Sequence, residues 1–124
     1  MKGEQRSGSS FSPPSETHKE MLQKMKNSYT EEYIFSCLAC CEAVIDRNMY
    51  LAAKWKNAYP AGETYLDRAE KWMKCRSVLR GLLSERYSTK EIIQRSKACK
   101  KKATQKAVMD LIVQIRKGDV QLEK

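Results

Sequence analysis

"YSTKEIIQRSKACKKKATQKAV", residues 87–108, decides how this chain folds. Ser88 and Glu91 stand at capping-box spacing, a hydroxyl at the N-cap and a carboxylate three residues on that returns the hydrogen bond. A helix is therefore expected from about Thr89. The stretch then crowds Lys97, Lys100, Lys101, Lys102 and Lys106 together. Read as one helix running to about Lys117, its inner positions are Ile92, Ser96, Cys99, Ala103 and Ala107, all small after the first. Small residues allow close approach but bury little area, so at about 25 cal/mol per Å² this would be the least stabilised part of the fold. Lys97 and Lys101 would repel at i,i+4 by a few tenths of a kcal/mol.

The same residues also resemble the helix-turn-helix of bacterial regulators. In that likeness "STKEI" opens the supporting helix, and "ACKKKATQKAV" supplies the turn and the reading helix. The resemblance implies base contacts from residues 94–105. The chain departs from the pattern at two places. Ile93 follows Ile92 where a small residue is usual, and Lys97 stands about where a glycine would let the backbone go left-handed.

Working outward, charge divides the chain unevenly. Residues 1–70 carry nine bases and ten acids, residues 71–106 twelve bases and two acids, and residues 107–124 three of each. The net +9 of the 124 residues thus resides in one contiguous third. So concentrated a positive field is suited to phosphate or to an acidic surface. Arg76, Arg80, Arg86 and Arg95 add guanidinium groups that match phosphate oxygens in pairs, beside the five lysines already named.

Upstream, Ile34, Leu38, Cys41, Ile45, Asn48, Ala52, Trp55 and Tyr59 alternate by four and three, the seam of a long helix. Ser28 and Glu31 form a capping spacing at its start, and Pro60-Ala61-Gly62 ends it. A second helix is expected over about Glu63–Arg86, with Leu66, Ala69, Trp72, Met73, Leu79, Leu82 and Leu83 facing inward. Val108, Met109, Leu111, Ile112, Val113 and Ile115 carry the last helix to a stop at Gly118. Thr17 and Glu20 cap a brief helix near 18–27. Strand periodicity is missing. The expected fold is all-α, an antiparallel bundle of three long helices with one short helix in front. It spans 17–118, between a Ser/Gly/Pro-rich tail over 1–16 and a C-terminal tail over 119–124.

Five cysteines without a secretory leader are expected to be reduced, in an intracellular protein with no membrane span. "CLACCE" at 37–42 holds a C-x-x-C, but inside a helix and without a second ligand pair, so no metal and no cofactor is expected. The lone His18 has no nucleophile or acid at a catalytic spacing, so the chain is not expected to be an enzyme. Trp55 and Trp72 read as packing, and Tyr87 as the ring best placed for base contact. The expected function is nucleic-acid binding, to DNA or RNA, in an accessory or regulatory role. Its contacts would be Arg76, Arg80, Arg86, Arg95, Lys97, Lys100, Lys101, Lys102 and Lys106. The alternative is an adaptor docking an acidic protein partner. Asn48 on the seam reads either as a register device or as the place where two protomers of a homo-oligomer meet.

Overall fold

The computed structural model describes residues 27–124. The expected tail over 1–16, His18, and the short helix near 18–27 apart from its last residue lie outside the described residues. Those described are mostly helical, 70%, in four helices with little strand. Helix α1 covers Glu31–Lys54, α2 Ala61–Leu83, α3 Thr89–Ala98 and α4 Gln105–Arg116. Two-residue strands flank them, β1 at Ser28–Tyr29 and β2 at Gln121–Leu122.

Helix α1 starts two residues later than the sequence implies. Thr30, not Ser28, is the N-cap, its hydroxyl accepting from the Tyr33 amide at 3.0 Å. Ser28 instead pairs with Gln121, and Tyr29 with Leu122, in a parallel ladder. A two-residue strand is too short to show alternation, so the sequence carries no sign of it. The pairing places residues 119–124, read as a tail, alongside the start of α1, with Val120 and Leu122 packed on the core.

The far end of α1 also differs. The seam is buried through Asn48 and then surfaces, so Trp55 is 43% and Tyr59 78% exposed rather than packed. Gly62 explains how the chain turns there. A Cβ at Gly62 would stand 2.6 Å from the Trp55 carbonyl oxygen, so only glycine permits this approach. Contacts of Trp55 with Gly62, Glu42 with Arg76, and Glu31 with Arg86 show that α1 and α2 run in opposite directions.

The stretch that opened the sequence forms neither one helix nor a tight helix-turn-helix. The Ser88–Glu91 capping box is complete: Glu91 N donates to Ser88 Oγ at 3.2 Å, and Ser88 N to Glu91 Oε1 at 3.0 Å. Helix α3 then stops at Ala98, and Cys99 turns extended. Residues 99–104 cross to α4, whose N-cap Thr104 accepts from the Ala107 amide at 3.1 Å. The third long helix is thereby replaced by helices of 10 and 12 residues. The break falls where the small inner residues offered least burial. It is held by a bond the sequence does not display, Ala103 N to the Ser36 carbonyl oxygen at 3.1 Å.

One core joins all four helices. Helix α1 contributes Ile34, Leu38, Cys41 and Ile45, and α2 contributes Trp72, Cys75, Leu79 and Leu83. Ile92 of α3 and Val108, Leu111 and Ile112 of α4 close it. Asn48 is satisfied within the chain, its Nδ2 donating to the Val44 carbonyl at 2.8 Å. Gly118 ends α4 at φ +77°, the left-handed geometry expected of it. Among the described residues no helix is long and apolar enough to cross a membrane.

Candidate nucleic-acid interface

The nine cations named from sequence differ in whether they meet a carboxylate. Arg76 and Arg80, a helical turn apart on α2, both reach across to Glu42 of α1. Arg76 Nη1 lies 2.7 Å from Oε1 and Arg80 Nη2 3.4 Å from Oε2. The Nε atoms of both arginines are buried without an acceptor among the described residues. Arg86 Nη1 donates to Glu31 Oε2 at 2.6 Å and to the Glu123 carbonyl at 2.8 Å. These three arginines brace α2 and the C-terminal residues against α1, each engaged with a carboxylate of that helix.

Tyr87 is likewise engaged internally. Its hydroxyl donates to Glu31 Oε1 at 2.6 Å, and its ring meets Phe35 edge-on at 5.7 Å. That hydrogen bond, followed by the one from Arg86, holds the Glu31 carboxyl below its usual pKa. Arg95 caps the cluster, its guanidinium 4.5 Å from the Tyr87 ring centre and 5.9 Å from that of Phe35. Arg95 nevertheless stays exposed and forms no ion pair among the described residues, although its charge helps to lower the Glu31 and Glu91 carboxyls.

The lysines behave differently. Lys97 ends α3, and Lys100, Lys101 and Lys102 occupy the linker, all exposed. Among the described residues no carboxylate forms an ion pair with any of these four. Lys106 meets Asp110 at 3.4 Å, one turn along α4, with side chains 87% and 69% exposed. A pair so exposed is worth little and leaves Lys106 available. Helices α1, α2 and α3 each carry an acid in the first turn, whereas α4 has none there. Its N-terminal partial positive charge adds to that of the linker lysines.

The linker stands off α1 far enough to leave a groove of about 850 Å³. Its floor includes Tyr33, Phe35, Ala98, Ala103 and Ala107, and its rim Arg95, Lys100, Lys101 and Lys102, with Glu32 as one opposing acid. Helix α4 divides this groove from a second cavity of about 580 Å³, bounded by α1, α2 and the first turns of α4. Arg47, Arg68, Lys71 and Lys106 line it, with Tyr65, Trp72 and, among the described residues, no carboxylate. Arg47 and Arg68 were invisible as site residues in the sequence, because they lie in the stretch whose charges cancel. Their signal is positional: both project from helices that bring them beside Lys71 and Lys106.

The thiols stand apart from this chemistry. Cys37, Cys40, Cys41 and Cys75 are buried and unbridged, as the seam reading implied. Burial pushes the Cys37 thiol up to about 11 and the Cys41 thiol up to about 12, so both keep their protons near neutral pH. Among the described residues no group of three His, Cys, Asp or Glu side chains is placed to hold a metal ion. No protein-family model, curated protein or solved structure matches the chain.

Proposed function

We propose that this chain binds nucleic acid through its phosphate backbone, using the linker between α3 and α4 as the primary contact. The observation that carries the reading is the set of exposed lysines, Lys97, Lys100, Lys101 and Lys102, which form no ion pair among the described residues while Arg76, Arg80 and Arg86 are paired. Arg95 at the groove rim and Lys106 on α4 extend the set. An unpaired cation releases counterions from the phosphate chain on contact, and that release supplies affinity without reading bases. The role is binding rather than catalysis, in an accessory or regulatory subunit of an intracellular nucleic-acid machine.

The apolar floor of the groove supports a second reading, an acidic protein segment that seats apolar side chains between α1 and the linker. One titration separates the two. Wild type and K100E/K101E/K102E are titrated with a labelled duplex and a labelled single strand at two salt concentrations. The nucleic-acid reading expects tight, salt-sensitive binding by wild type and its loss in the variant. Equal binding by both proteins, or none by wild type at low salt, hands the linker to the protein-docking reading.

A further inference from the structure

The second cavity has a composition that a solvated face does not need. Arg47, Arg68, Lys71 and Lys106 converge on it from α1, α2 and α4, and among the described residues no acid lines it. Asp46 and Asp67, their neighbours in sequence, form no ion pair with these cations among the described residues. Aromatic rings are interleaved with the charge. Tyr65 lines the cavity with the Arg68 guanidinium 5.8 Å from its ring centre. Tyr50, one turn from Arg47 on α1, is 65% exposed. Trp55 is also exposed, with Lys54 Nζ 5.6 Å from its ring centre. Large rings left in water beside cations mark a contact surface. Rings and cations in alternation are what single-stranded nucleic acid meets in its binding proteins, bases on the rings and phosphates on the cations.

We propose that this cavity is a second nucleic-acid contact, selective for unpaired strands, in which Arg47, Arg68, Lys71 and Lys106 hold phosphates and Tyr65 stacks a base. The proposal rests on the reading of the linker as the first contact. The two are neighbours: Ala103 and Ala107 line the groove, and Gln105 and Lys106 the cavity, so only the first turn of α4 separates them. Along α1 the distance from Ser36 to Arg47 is about 17 Å at 1.5 Å per residue. A strand crossing α4 therefore engages both sites once it is long enough to cover that span, which a free nucleotide is not.

The test uses the full chain and fluorescence anisotropy, with a labelled oligothymidylate of about 16 nucleotides and a duplex of the same length, the upper single-strand site size per binding module. The variants are R47Q/R68Q/K71Q, its charge-retaining counterpart R47K/R68K, and Y65L, with circular dichroism to confirm that each is folded. On oligothymidylate, R47Q/R68Q/K71Q is expected to flatten the log–log salt slope by about 2, three contacts at about 0.7 each, and the lysine variant to keep the wild-type slope. Y65L is expected to weaken oligothymidylate binding about tenfold and leave the duplex unaffected. If wild type binds and R47Q/R68Q/K71Q keeps its slope, the second contact does not exist and the linker reading survives. If Y65L weakens both probes alike, selectivity for unpaired strands is overturned. If wild type binds neither probe at low salt, both readings fall together.

Discussion

In the α1–α2 hairpin, three arginines meet carboxylates of α1: Arg76 and Arg80 share Glu42, and Arg86, just past α2, takes Glu31. In the segment from α3 through the linker to α4, the cations point outward. Lys97, Lys100, Lys101 and Lys102 meet no carboxylate among the described residues. The two regions differ already in sequence, with a net charge of +1 over residues 31–86 and +6 over residues 89–116, and packing widens the difference in space. Helices that pack along their length bring distant acids opposite bases. A linker that touches α1 through one backbone hydrogen bond does not. Positive charge is available to a ligand where packing fails to quench it.

The comparison can be broken first at the core. Leu38 is fully buried in the hairpin, and Leu38→Ala should lower stability by about 3 kcal/mol in urea denaturation. Lys101→Ala in the linker should change it by less than about 0.5 kcal/mol. Comparable losses from both would mean that the linker is as much a part of the folded core as the hairpin.

The shared carboxylate sharpens the contrast. Glu42→Gln leaves two part-buried guanidinium groups facing each other without their counter-charge. Because these side chains are about a quarter exposed, the expected loss is discounted to about 1 kcal/mol. Unchanged stability in Glu42→Gln would show that the arginines are not held by this pair.

Glu31 gives a smaller, pH-dependent version of the same test. Its carboxyl is held below the ordinary value by the Tyr87 hydroxyl first and Arg86 next. A depressed folded pKa contributes stability above the unfolded value, about 4.3, and loses it as pH falls through the folded value. Glu31→Gln should therefore reduce stability at pH 6 and flatten its decline below pH 4.5 in acid titration. An acid limb as steep as that of wild type would remove Glu31 from the account. The least disruptive probe is thiol alkylation in native buffer. Cys99, half-buried in the linker, should label without loss of stability, while Cys37, Cys40, Cys41 and Cys75 stay unmodified. Fast labelling of Cys41 would contradict its burial.

Much of the fold could be read from sequence because its signals are local. The Ser88–Glu91 box, the seam from Ile34 to Asn48, the turn at Gly62 and the stop at Gly118 each act within a few residues. The break between α3 and α4 was harder. Thr104 caps α4 with Ala107 at the third position, so the reciprocal carboxylate that marks α3 is missing. The exposure of Trp55 followed from α1 ending at Lys54, which periodicity alone does not place. The site was legible only in part. That residues 71–106 hold the surplus charge is plain in the sequence. Which bases keep it depends on acids 34 to 55 residues away, and no spacing rule reaches that far. Arg47 and Arg68 were hidden for the converse reason, since acids beside them in sequence are not their partners in space.

The central claim is that phosphate meets the linker lysines and not the paired arginines. It is tested most directly by the salt dependence of duplex binding for wild type, K97Q/K100Q/K101Q/K102Q and R76Q/R80Q/R86Q. The account predicts that the lysine variant flattens the log–log slope by about 3.6, four contacts at about 0.9 each, while the arginine variant keeps the wild-type slope. A flattened slope in the arginine variant, with the lysine variant unchanged, would contradict it.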